Sequence, residues 1–242
     1  MSTLKTLQSE IRKLADPELA GFQAKFFRTG KGEYGEGDKF LGLNVPKVRA
    51  IEKKHRKTVS IEAAAGLLAS DWHDERLLAL VILVEKFKRT DPASRTNIHR
   101  LYLKMKSRIN NWDLVDVSAP VLVGQHLVER GRNPYELLLP LVRSRRLWDR
   151  RIAMLSTFAF LRAGDFGPTL RLSELLLEDK EDLMHKASGW MLREVGKRDE
   201  LVLRGFLDTF AARMPRTMLR YAIERLPERD RRAYLKAGAT TT

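Results

Sequence analysis

"SDWHDERLLALVILVEKF", residues 70–87, decides the fold class. Leu77, Leu78, Val81, Ile82 and Val84 recur at the three- and four-residue steps that line one side of a helix. Asp71 is placed to cap the start of that helix, and Asp74 and Glu75 suit the positive end of its dipole. Leu77–Val84 is also the longest apolar run in the chain, and at eight residues it is too short to span a bilayer.

The arrangement recurs. Trp72 leads this helix, Trp112 leads "WDLVDVSAPVLV" 40 residues later, and Trp148 leads "WDRRIAMLSTFAFL" after a further 36. A last step of 36 reaches Met184, in "LMHKASGWMLREV". "NPYELLLPLVRS" starts another helix, with Asn133 as cap and Pro134 in the first turn. A period near 40 with two helices per unit is that of HEAT-type repeats, which stack into a solenoid with a concave binding face. A helical bundle with coincidental spacing reads the same way. No alternating stretch is long enough for a strand. The sequence therefore predicts an all-α fold, a HEAT-like helical-repeat solenoid with a concave basic face. It is expected to form one domain over residues 1–242, frayed from about residue 230.

The 242 residues are 43% apolar, enough for a sizeable core, and include no cysteine, which excludes disulfides and thiolate chemistry. The N-terminal stretch "MSTLKTLQSEIRKLADPELAG" lacks the apolar centre of a signal peptide, so a soluble cytoplasmic, nucleoid-associated protein is expected. Lysine and arginine number 45 against 31 acids, a net charge of +14 that calls for a polyanionic partner, nucleic acid before membrane. One loop differs from the rest: "RTGKGEYGEGDKFLGLNVPKVRAI" holds Gly30, Gly32, Gly35, Gly37 and Gly42 among charges. It lacks the spacing of a phosphate-binding loop, and a flexible connector is expected there, a grip on the DNA backbone being the other reading.

Most catalytic sets are missing. His55, His73, His99, His126 and His185 are scattered, no HExxH or Cys–His pair occurs, and neither a metal nor a cofactor is expected. His185 reads as a surface or capping residue. Tryptophans, acids and arginines remain. Trp112 and Asp116 are four apart and share one helix face, with Asp113 directed elsewhere. Arg145, Arg146, Arg150 and Arg151 surround Trp148, and Lys186, Arg193, Lys197 and Arg198 surround Trp190. Basic residues among aromatics suit phosphate contacts combined with stacking. The same residues also read as core aromatics, a solvated outer face, and an Asp116 paired with a base such as Arg108.

Taken together, "FLGLNVPKVRAI", "NNWDLVDVSAP", "LWDRRIAML" and "HKASGWMLREVGK" resemble, in order, the motifs of the AlkD-type DNA glycosylase (DNA alkylation repair) family. The match runs from about residue 20 to residue 225, with "WDLVD" and "GWMLREVGK" its specific parts. The resemblance implies HEAT-like repeats and excision of alkylated bases. It places the active-site tryptophan and aspartate at Trp112 and Asp116, a second cleft tryptophan at Trp190 and a DNA-contacting arginine at Arg151. Trp148, Arg150, Lys186, Arg193, Lys197 and Phe26 join the expected DNA contacts. Phe26 stands where the family often carries tyrosine, and the glycine-rich insert at 29–38 is a second departure. Some relatives lack the aspartate and bind DNA without excision, so a non-catalytic HEAT-like module for damaged or branched DNA is the alternative. The implied partner is double-stranded DNA carrying alkylated bases, met by a monomer with no membrane and no obligate protein partner.

The implied chemistry suits these residues. Purines alkylated at N3 of adenine or N7 of guanine are cationic and leave readily; the barrier lies in the oxocarbenium character of the deoxyribose. A carboxylate at roughly 4 Å gains about 4 kcal/mol at an effective dielectric near 20, before desolvation. An indole face adds about 0.5–2 kcal/mol for a nearby cation. The resemblance also implies that the lesion stays largely stacked, unlike the flipped bases of most glycosylases.

Overall fold

The computed structural model describes residues 2–237. It is helical throughout, and among those residues the only β pairing is two isolated bridges, Ser2 with Val59 and Lys39 with Trp72. The helices divide into two compact units, Met1–Leu122 and Val123–Thr242. The first holds α1 (Leu4–Lys13), α2 (Pro17–Phe26), α3 (Val45–His55), α4 (Ile61–Leu68), α5 (His73–Arg89), α6 (Pro92–Lys104) and α7 (Trp112–Ala119). The second holds α8 (His126–Arg130), α9 (Tyr135–Val142), α10 (Leu147–Arg162), α11 (Gly167–Leu175), α12 (Asp182–Gly196), α13 (Glu200–Phe210), α14 (Arg216–Ala222) and α15 (Glu228–Ala237). The unit boundary falls in a π-helical turn, Pro120–Gln125. α15 covers much of the stretch expected to fray; residues 238–242 lie outside the described residues.

In the first unit α5 is the central element. Every residue from His73 to Val84 is buried, and α3, α4 and α7 pack on it. A helix apolar or neutralised on all sides has to be enclosed by others. In the second unit α10 is enclosed in the same way and packs against α9, α11 and α12, while α12 packs closely on α14. The tryptophan-led segments are thus the helices that the sequence spacing selects: Trp72 precedes α5, Trp112 opens α7 and Trp148 sits in the first turn of α10.

Local chemistry starts several of these helices. Asp16 and Asp91, each followed by proline, accept two backbone N–H groups apiece at α2 and α6. The expected caps of two others shift. Trp72, not Asp71, occupies the cap of α5, and Asp71 instead accepts from Arg108 at 3.0 Å. Pro134 occupies the cap of α9, with the Asn133 side chain accepting from Tyr135 N–H at 3.0 Å. Asp74 and Glu75 do lie in the first turn of α5 but are drawn into the interior. Asp74 accepts from the N–H groups of Leu41 (2.6 Å) and Leu43 (2.8 Å), and Glu75 from Gln8 and Arg12. Between the first two donors Gly42 has φ +83°, and a Cβ there would lie 2.0 Å from the Asp16 carbonyl oxygen, so only glycine fits.

Candidate nucleic-acid interface

The first turn of α7 is built from below. Asn111 is fully buried and accepts from Trp112 N–H at 2.9 Å, fixing where the helix starts. The Trp112 ring stacks on Phe27 at 5.2 Å and 23° and meets the edge of Phe26 at 6.0 Å and 70°. Phe27 in turn stacks on Phe40 at 5.1 Å. Trp112 and Asp116 are both half-buried, one turn apart on the same face.

Asp113 faces the other way, into a buried charge network. Its carboxylate bonds Nε2 of His73 at 2.8 Å, and Nδ1 of the same ring bonds Asp38 at 2.8 Å. Asp38 also takes the Arg76 guanidinium, and the Asn111 amide at 3.4 Å. The imidazole is packed against Phe40 at 4.4 Å and Phe27 at 5.1 Å. Burial works against a charge on His73, but Asp113 and Asp38 outweigh it and push the ring up to about 9, so it is an imidazolium at neutral pH. Burial likewise opposes ionisation of Asp38, and His73 and Arg76 outweigh it, holding that carboxyl below its usual value. At the neighbouring Asp74 burial prevails over the Leu41 and Leu43 N–H bonds and the carboxyl is raised.

The glycine-rich segment is therefore an ordered loop, where the sequence reading expected a flexible connector. Glu33 accepts from Gly30 N–H and Glu36 from Gly32 N–H, both at 2.9 Å, and the loop delivers Asp38 to His73. Sequence reasoning missed Asp38 and His73 as a site element. The available signal was a histidine directly after the repeat tryptophan and an acid closing the glycine loop.

In the second unit the expected DNA contacts separate by environment. Trp148 (7% exposed) and Arg151 (5%) are buried, not presented at the surface, and Arg151 donates to the Leu183 carbonyl at 2.7 Å. Trp148 thus takes the core position that was its other reading. Arg150 is engaged by Asp179 at 2.6 Å and by the Ser144 and Arg145 carbonyls, and Arg193 by Glu224. Lys186 pairs with Asp182 at 2.8 Å, both side chains half-exposed, and the half-exposed Lys197 pairs with the buried Glu194 at 2.6 Å. A surface pair such as Lys186–Asp182 contributes about 0–1 kcal/mol and exchanges readily for a phosphate. Trp190 is half-buried beside Phe158 at 6.3 Å, and Arg162 and Arg198 lie over that phenyl ring at 4.3 and 5.5 Å. His185 bonds the Asp179 carbonyl at 2.5 Å, a bridging role within its unit.

Among the described residues no helix is long and apolar enough to cross a membrane, and no three His, Cys, Asp or Glu side chains gather as a metal site. The family model described as "DNA alkylation repair enzyme" matches residues 7–226. A solved structure, a predicted DNA alkylation repair enzyme from Enterococcus faecalis, is similar with a TM-score of 0.69. The similarity covers 88% of this chain and 97% of that one at 14% identity, and so speaks for a shared helical-repeat fold. No curated protein matches.

Proposed function

Because the chain belongs to the DNA alkylation repair enzymes, we propose that it is a monofunctional DNA glycosylase, excising N3-alkyladenine and N7-alkylguanine from double-stranded DNA. The observation that supports this most is the pairing of a half-buried indole and a half-buried carboxylate, Trp112 and Asp116, on one face of α7. That helix is anchored from its opposite side by the His73–Asp113 contact.

In this reading the N-glycosidic bond breaks with its electron pair leaving on the base, which departs neutral. The deoxyribose becomes an oxocarbenium ion, and the Asp116 carboxylate lies against it. Water then attacks C1′, its proton passes to Asp116 or to solvent, and an abasic site remains. Trp112 supplies an indole face to the cationic sugar, favouring a charged lesion over a normal nucleotide. Lys186, with its weak surface pair, and the half-exposed Lys197 are cations that the second unit offers to a phosphate. Arg151, buried, holds α10 against Leu183 next to them.

The test is release of bases from randomly methylated duplex DNA. Wild-type protein should release them without added cofactor. Asp116→Asn should slow release by up to about a thousandfold, the rate equivalent of about 4 kcal/mol, while binding DNA as before. Equal release by both proteins would remove Asp116 from the chemistry. Binding without release by the wild type would make the chain a non-excising DNA-binding module.

A further inference from the structure

α2 carries a surface that the sequence reading touches at one residue only. None of its residues is buried, and Phe22 and Phe26 are 64% and 56% exposed. Their rings lie nearly parallel, 13° apart with centroids at 6.1 Å, and Phe26 continues to the edge of Trp112 at 6.0 Å. An isolated exposed phenyl is ordinary, but here two stacked rings run on from the indole of the candidate active site.

Two cations accompany the rings. Lys25 and Arg28 are exposed, and neither has a carboxylate at ion-pair distance among the described residues. This contrasts with Lys186, Arg193 and Lys197, each of which is paired. Arg28 is further marked by its backbone. It has φ +51°, and it is the non-glycine residue of positive φ among those described. Its carbonyl is held by Gly35 N–H at 3.0 Å. Glycine would relieve that conformation, yet the chain keeps a guanidinium there.

We infer that Phe22, Phe26, Lys25 and Arg28 form an extended DNA contact, the rings packing against sugars and bases of the strand beside the lesion and the two cations meeting its phosphates. This rests on the proposed reading in that DNA is the ligand. It adds Phe22, Lys25 and Arg28 to the interface, and it gives the unpartnered face of α2 an occupant of complementary charge and shape.

The experiment is fluorescence anisotropy of a labelled, dimethyl-sulfate-treated duplex titrated with full-length protein, run beside the base-release assay. Phe22 is exposed, so Phe22→Ala should keep its helical circular dichroism and melting temperature. Its affinity should fall about 5- to 100-fold, the range for losing one aromatic stacking contact, and Phe22→Trp should restore it. Lys25→Ala/Arg28→Ala should flatten the slope of log affinity against log salt by about 2, one per lost phosphate contact. Wild-type affinity for Phe22→Ala, or an unchanged salt slope for the double variant, overturns the inference. The two readings fail separately. A wild type that binds but releases no base, with binding weakened by Phe22→Ala, sinks the glycosylase and upholds the surface. Normal release with binding indifferent to these substitutions does the reverse.

Discussion

The imidazolium of His73 makes the first unit sensitive to alkaline pH. The ring is buried, bonded on both sides by carboxylates at 2.8 Å and pushed up from 6.5 to about 9. A group whose pKa is raised on folding stabilises fully below its unfolded value. That stabilisation is lost as pH rises through the folded value. Here it is complete below about pH 6.5 and gone above about pH 9, and the shift corresponds to about 3 kcal/mol at 1.36 kcal/mol per pH unit. The groups facing the ring are Asp38 from the loop, Asp113 from α7 and Arg76 from α5, with Asp74 next to it in α5. Asp38 is held below its usual value by His73 and Arg76, which keeps its titration outside this window. The assay is urea denaturation of wild type and His73→Gln, followed by tryptophan fluorescence, between about pH 6 and about pH 10. The variant subtracts the background of lysine and tyrosine titration. It should be clearly less stable near neutrality, and the gap between the two proteins should close by about 3 kcal/mol toward the alkaline end. A gap that stays constant over that range would mean that His73 is neutral in the folded protein and that the charge network is wrongly drawn.

Glycine substitutions test the packing of the second unit. A Cβ at Gly189 would lie 2.5 Å from both the Met218 carbonyl oxygen and Tyr221 Cβ, so Gly189→Ala should destabilise by about 1–3 kcal/mol in denaturant titrations. Gly205 in α13 has nothing within 4 Å of its Cβ position, and Gly205→Ala should stabilise by up to about 1 kcal/mol. A polyphosphate contact predicts that affinity for duplex DNA falls about 10³- to 10⁵-fold between 50 and 200 mM salt if six to ten phosphates are met. A flat salt response would point to a protein partner instead.

The helical fold was legible because its signals are local. Apolar spacing and the recurring tryptophans act within one or two turns, whereas the caps read at Asp71 and Asn133 each shift by one residue. What escaped sequence reading depends on partners far along the chain. Asp38 and His73 are 35 residues apart and His73 and Asp113 are 40 apart, so the local marks of His73 after Trp72 and of Asp38 at the end of the glycine loop do not name their partners. The basic clusters misled for the same reason. Arg150 and Arg193 look like free cations beside tryptophans, but their carboxylates come from Asp179 and Glu224, 29 and 31 residues on. Trp112 and Trp148 open helices at the repeat spacing and read alike. They differ because α10 is enclosed on all sides whereas α7 keeps one half-buried face.

The same distinction explains the glycine-rich insert. A phosphate-binding loop keeps its backbone N–H groups free for the anion, but here those of Gly30 and Gly32 are occupied by the loop's own Glu33 and Glu36. Gly35 and Asp38 of the segment turn inward. A Cβ at Gly35 would lie 2.3 Å from the Phe27 carbonyl oxygen, so glycine is required for the loop to fold back on the end of α2. That return brings Asp38 to His73 and Arg76. His73 then holds Asp113, and Phe27, packed on the same ring, holds Trp112. The insert therefore acts on α7 as a strut: it fixes the first turn on which Trp112 stands and from which Asp116 follows one turn later. Gly35 serves close backbone approach, and Asp38 serves a buried ion network.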